Sequence, residues 1–375
     1  KGDHPTMLSA KKKRLRILHR SKLLSELMEG KQGLLVAGAH GKTSLSALLA
    51  HMVLFAGLDP SFAIGGIVPS LGRHGRGGQG DLFIAEADES DGSFLKLQGR
   101  GGVITNIDCD HMDYWKNEDQ LKQSFLTFSQ KIRQKKQLFW CYDDPILKTL
   151  KPAGCSYGEG EGADLRMTDF LLKEDGVYFS VTINEKTYTD IYAPLFGKHL
   201  ALNALAVYGM GLMLGIKHRD ILDSFKSFRG VERRFEKKGQ VKGVTIYDDY
   251  AHHPTEIKAL LKTLKSLEKN KRVIAVFQPH RYTRTSYLID ELATSFSNAD
   301  ICFIADVYPA GEPPIKGASG KKLADKIALS QECTFFSKEN GLTELKKMLK
   351  DQDVVVTIGA GDIFNVGNDL LKDTV

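Results

Sequence analysis

The sequence predicts an α/β protein: a parallel sheet joined by a small antiparallel sheet, then a second, doubly wound domain. Three observations carry that. Short apolar runs alternate with helical periodicity from about residue 21 to 150, two-residue alternation takes over between about 160 and 193, and the strand–helix alternation returns after 240. A length of 375 residues leaves room for two cores of ordinary size.

In the first region, strands are expected at 34–37, 82–85, 103–106 and 137–141, each bounded by glycine, polar or acidic residues. The stretch 120–132 reads as a helix with Leu121, Phe125, Phe128 and Ile132 on one face. Between the first strand and a helix over 46–55 lies Gly38-Ala39-His40-Gly41-Lys42-Thr43-Ser44. A strand, a tight glycine turn and a helix N-terminus together aim backbone N–H groups and the helix dipole at an anion. This is the short GxxGKT form of a phosphate loop, since Val36 stands where the longer Walker pattern has its first glycine. By itself it argues for a P-loop-type nucleotide-binding domain and not for a reaction.

Strands at 177–183 and 187–193 flank Asn184-Glu185-Lys186, which reads as a hairpin, and a helix over 200–214 closes this part. Beyond it, strands at 244–247, 273–277, 301–304, 334–336 and 354–358 with helices between them predict a Rossmann-like α/β domain. The expected division is a remnant of a preceding domain and linker at 1–20, a central domain at 21–230 and a C-terminal domain at 231–375, with a hinge around 229–234. The remnant is inferred from a start without methionine and from a half-strand at 15–18 with no partner before it.

Composition narrows the function classes. No apolar run approaches the roughly 20 residues that span a bilayer, so no membrane partner is expected. The net charge of +6 is spread out, and its one tight cluster, Lys11 to Arg14, lacks the aromatics that would stack bases, so no nucleic-acid partner is expected either. Five scattered cysteines without a CxxC pair exclude a simple disulfide framework or zinc knuckle and fit a reducing cytoplasm.

Ligands of open parallel sheets bind at the carboxyl ends of the strands. After the strand at 82–85 come Glu86, Asp88, Glu89 and Asp91; after 103–106 come Asp108, Asp110 and His111. Hard oxygen donors and an imidazole beside a phosphate loop suit a nucleotide with magnesium. In the last region, strand ends carry Asp249, Tyr250, His252 and His253, then His280, Arg281 and Arg284, whose planar forks suit carboxylate or phosphate. Pro254 is placed for the first turn of a helix, leaving the histidine pair on the loop before it. Adjacent histidines rarely aim at one ion, so that pair is not expected to be a metal site. Gly359-Ala360-Gly361-Asp362 lacks the third glycine of a dinucleotide fingerprint and reads as a turn with a helix cap.

Taken together these segments resemble the Mur ligase family. The motifs are GAHGKTS at 38–44, EADESDGSFL at 86–95, TNIDCDHMD at 105–113, RRF at 233–235, DDYAHHPTE at 248–256, QPHRYTRT at 278–285 and YPAGE at 308–312, in family order. EADESD and QPHRYTRT favour the branch that adds L-alanine to UDP-N-acetylmuramate. The resemblance covers a central ATPase and a C-terminal domain, without the N-terminal domain that holds the UDP moiety in the family. It implies ATP and Mg2+ as cofactors, UDP-N-acetylmuramate and L-alanine as substrates, and an acyl-phosphate route to an amide in peptidoglycan precursor synthesis. By matching positions, Lys42 contacts the β- and γ-phosphates, Thr43 and Glu86 bind magnesium, and His111 sits on a second metal or beside the acyl phosphate. Asn203 faces adenine, Arg234 the phosphates and Asp249 the ribose; Tyr250, His252, His280, Arg281 and Arg284 grip the amino acid and the acceptor. Leu200 stands where the family commonly has an asparagine, which leaves Asn203 alone at the adenine. The alternatives are the tripeptide-adding murein recycling ligases, more remotely the folylpolyglutamate synthetases, or a nucleotide-binding relative without catalysis.

Overall fold

The computed structural model describes residues 4–372, apart from the side chain of Asp113; residues 1–3 of the expected N-terminal remnant lie outside the described residues. Among the described residues, sixteen strands form two sheets. The first sheet contains β1 (Gln32–Ala37), β2 (Ser61–Val68), β3 (Arg73–Arg76), β4 (Leu82–Glu86), β5 (Gly101–Ile104), β6 (Leu138–Cys141), β7 (Cys155–Gly158), β8 (Leu165–Lys173), β9 (Gly176–Ile183) and β10 (Lys186–Ala193), in the order 10-9-8-7-6-5-1-4-2-3. The expected antiparallel strands therefore continue the parallel sheet: β7 pairs parallel with β8, and β8, β9 and β10 then run antiparallel.

β1 lies between β4 and β5, parallel to both. Its order in the sheet places the phosphate loop between the two acidic loops that follow its neighbours, the kind of switch point at which open sheets bind ligands. β1 ends in Leu34, Leu35, Val36 and Ala37, none with any solvent exposure. Gly41, at φ 82°, caps the helix Lys42–Phe55 in a left-handed conformation that glycine adopts without strain. The helix thus starts on Lys42, four residues earlier than its apolar run predicts. It is buried nearly all round and packs on the equally apolar helix Lys198–Met213, which makes both central rather than surface helices.

The second sheet holds β11 (Glu236–Val241), β12 (Val244–Asp249), β13 (Val273–Phe277), β14 (Ile301–Ala305), β15 (Cys333–Phe336) and β16 (Val354–Ile358), in the order 11-12-16-13-14-15. All pairings are parallel except β11–β12. One apolar cluster covers each of its faces, as a doubly wound sheet requires.

Two expectations are corrected. Residues 15–18 form no strand: Leu15 and Ile17 are 59% and 42% exposed, and an apolar run with nothing to pair with does not order as a strand. The strand expected at 103–106 spans Gly101–Ile104, which frees Thr105 and Asn106 to brace the phosphate loop.

Candidate functional site

The phosphate loop is fastened from the β5 side. The His40 N–H donates to Asn106 Oδ1 at 2.8 Å, and the His40 carbonyl accepts from Thr105 Oγ1 at 2.7 Å and Asn106 Nδ2 at 3.1 Å. Asn203, buried on the neighbouring helix, donates from Nδ2 to the Gly41 carbonyl at 3.4 Å. The Lys42 ammonium folds over its own loop, donating to the Gly38 and Ala39 carbonyls at 2.6 and 3.2 Å and to Glu89 Oε2 at 2.7 Å. Burial works against that charge, but Glu89, Asp88 and Glu86 outweigh it and raise the Lys42 pKa. The role of Glu89 is not legible from its motif, in which Glu86 is the more obvious acid.

Glu86, the last residue of β4, is gathered by three donors. Thr43 Oγ1 reaches Oε2 at 3.2 Å, Ser46 Oγ reaches Oε1 at 3.2 Å, and the Gly65 N–H reaches Oε1 at 2.5 Å. His111 begins a short helix, Met112–Trp115, with φ 58°, an uncommon backbone state for a non-glycine residue. Trp115 of that helix donates to the Glu89 carbonyl at 3.1 Å, so the loops after β4 and β5 support each other. Burial lowers the His111 pKa against the opposing pull of Asp110.

The second sheet turns its carboxyl-end rim toward the first. Asp249 accepts the N–H groups of Phe235 and Ala251, each at 2.7 Å; burial raises its pKa to about 6 although Arg234 opposes the shift. Tyr250 packs near two guanidinium groups, Arg233 at 5.2 Å and Arg234 at 4.9 Å from its ring centre. His253 caps the helix Pro254–Leu267, as its place before Pro254 suggests. The two histidines diverge: His252 Nδ1 meets the Tyr250 carbonyl at 3.0 Å, while His253 Nδ1 lies 3.5 Å from Asp108. His280 stacks on Tyr308 at 5.5 Å, and its Nδ1 lies 3.4 Å from Arg284. Arg284 is held by Asp110, with N–O separations of 3.3 and 3.4 Å across the cleft. Gly359 and Gly361 accept from Arg233, so that turn anchors an arginine at the end of β16.

Two cavities open between the sheets. One of about 370 Å³ is lined by His40, Gly41, Ser44, Arg234, Asp249 and Glu256, among others. The other, of about 360 Å³, lies between His111 and Asp110 on one side and Arg281 and Arg284 on the other. Part of the phosphate loop, Arg234 and Asp249 thus share a cavity, and His111 shares the second with the two arginines, whereas Lys42, Thr43 and Glu86 line neither.

Comparison with known proteins places both halves of the chain in one family. The Mur ligase middle domain matches residues 36–211, and the glutamate ligase domain of the same family matches residues 233–361. The chain belongs to the Mur ligase family. This Mur ligase is 42% identical over 375 residues to UDP-N-acetylmuramate–L-alanine ligase of Protochlamydia amoebophila, covering 99% of the chain and 83% of that relative. Its structure matches UDP-N-acetylmuramate–alanine ligase of Thermotoga maritima with a TM-score of 0.84 at 26% identity, over 100% of this chain and 83% of the other. A murein peptide ligase from Psychrobacter arcticus shares the fold, with a TM-score of 0.70 at 21% identity over 99% and 83% of the two chains.

Proposed function

We infer that this Mur ligase joins L-alanine to the lactyl carboxylate of UDP-N-acetylmuramate, using ATP, in peptidoglycan precursor synthesis. The observation that carries this is the match to alanine-adding enzymes along almost the whole chain. The cleft supports it, with a phosphate loop and acidic rim opposite a rim of arginine and histidine.

A carboxylate is a poor electrophile, so the acceptor must be activated. Its oxygen attacks the γ-phosphorus of ATP, the bond to the β-phosphate oxygen breaks and ADP leaves. The alanine amine then attacks the acyl carbon, loses a proton, and phosphate departs to leave the amide. Both steps bring anions together, and positioned cations lower that cost. In this reading Lys42 moves from Glu89 to the β- and γ-phosphates, Arg234 also faces the phosphates, Asp249 the ribose and Asn203 the adenine. Arg281 and Arg284, with Tyr250, His252 and His280, orient the acceptor and the amino acid, and His111 lies beside the reacting acyl group.

The Thr43 hydroxyl and Glu86 carboxylate are hard oxygen donors 3.2 Å apart, a set that fits magnesium, with His111 as the nitrogen donor for a second ion. Bound there, magnesium neutralises phosphate charge. All five cysteines are free thiols, in keeping with a cytoplasmic setting. Among the described residues no helix is long and apolar enough to cross a membrane.

Phosphate release separates the readings: the purified protein is expected to turn over ATP with UDP-N-acetylmuramate and L-alanine, and Lys42→Ala to lose about a hundredfold or more. Turnover with the tripeptide alone would assign the chain to the recycling branch.

A further inference from the structure

Both ring nitrogens of His40 face carboxylates, and the two carboxylates belong to different domains. Nε2 lies 2.9 Å from Asp108 Oδ2, in the middle-domain match, and Nδ1 lies 3.3 Å from Glu256 Oε1, in the C-terminal match. A neutral imidazole has a single N–H, so satisfying an acid at each nitrogen requires the doubly protonated ring. Each acid is itself fixed. Glu256 Oε2 accepts the backbone N–H groups of His252 and His253 at 3.0 and 3.2 Å, which leaves Oε1 for His40, and Asp108 Oδ2 accepts from Thr255 Oγ1 at 2.7 Å.

The surrounding groups leave the proton on this ring. His253 packs 4.8 Å from His40 beside Asp108, His199 opens into the same cleft, and Arg234 and His252 face Glu256. Burial opposes the His40 charge, but Asp108 and Glu256 outweigh it and raise its pKa to about 9, whereas burial lowers His253, and His252 to about 4. The ligand atoms of His40, Asp108 and His253 lie within 4.8 Å of one another, a spacing that suits a metal ion, but a doubly protonated ring has no lone pair to offer.

We propose that His40 is a positioning residue, a charged pin that ties the phosphate loop to the C-terminal domain and so couples the seating of the nucleotide to closure of the cleft. The ring bridges the domains while the His40 backbone is held by Thr105 and Asn106, so parting the domains pulls on the loop itself. The coupling to nucleotide rests on the function inferred above; the pin rests on geometry alone.

Closure adds Glu256 to the Asp108 that already faces the ring and raises the His40 pKa, so the pin is formed at neutral pH and is lost as pH rises through about 9. Small-angle scattering of the full chain is expected to show a compact particle at pH 7 that expands with a midpoint near 9. Glu256→Gln is expected to lower that midpoint by about one unit or more, a cost of about 1.4 kcal/mol. His40→Gln is expected to be expanded and pH-insensitive over this range, and His40→Lys to restore compaction at pH 7. A histidine-ring NMR titration of the native chain reads the same proton directly. A His40 ring that titrates near 6.5, or scattering that is flat from pH 7 to 10 in the native chain, overturns the pin. Lack of alanine-dependent turnover would instead count against the inferred function and leave these readouts untouched.

Discussion

At and after the end of β4, Glu86 and Glu89 turn back to Thr43, Ser46 and Lys42 of their own domain, whereas after β5, Asp108 and Asp110 also reach across the cleft to His253, Thr255 and Arg284. The two loops are similar in acidity and flank the same central strand. What separates them is the available partner: the first runs beside the phosphate helix, and the second emerges where the C-terminal domain docks. The first loop sets the geometry of the phosphate-binding wall, and the second decides where the other wall stands.

The contrast can be broken at its strongest point. Glu89→Gln removes the partner of a buried ammonium, and we expect a loss of about 3 kcal/mol in chemical denaturation. A neutral outcome would mean that the Gly38 and Ala39 carbonyls alone hold Lys42. Acid tests the opposite wall. Burial depresses His252 and His280 to about 4 from an ordinary 6.5, so the unfolded chain binds more protons between those values. Stability therefore rises with pH across that window and falls as pH drops through it, by about 2 kcal/mol between pH 7 and 5 after discounting for partial exposure. Urea midpoints at the two pH values measure this; unchanged midpoints would show that these rings are solvated. The mildest change is expected from Asp110→Asn, which loosens Arg284 across the cleft. Catalytic efficiency should fall about tenfold, equivalent to about 1.4 kcal/mol, while unfolding of the first domain barely shifts. A large stability loss would erase the distinction between the loops.

The central strands β1, β4, β5, β6, β12, β13, β14 and β16 were legible because both their faces are buried, so each reads as an apolar run between turn residues. The edge strands β3 and β11, and β2, β7 and β8 beside or between other strands, were not. β11 reads Glu-Lys-Lys-Gly-Gln-Val and pairs on one side only, and the β2–β3 hairpin is interrupted by Gly65 and Gly66 and ends among exposed basic residues. At the site, the phosphate loop and the acidic loops could be located from residue order along the chain. Which acid each cation meets could not: Lys42 takes Glu89 rather than Glu86, and Arg284 takes Asp110, pairs separated by 47 and 174 residues. Such choices depend on how the sheets dock, and no local pattern encodes that. Glu256 had a signal, three residues after His253 in a capping-box spacing, but its second oxygen facing His40 had none.

Gly65 has a practical consequence for anyone building a saturation library of this enzyme. A methyl group at that position would sit 3.0 and 3.1 Å from the two Glu86 oxygens and 3.2 Å from Thr43 Oγ1, its three nearest neighbours. Position 65 therefore works as a fine adjuster. Alanine is expected to move the carboxylate by a few tenths of an ångström, and larger side chains to displace it further. Selection for solubility would retain these variants, and selection for growth would discard them.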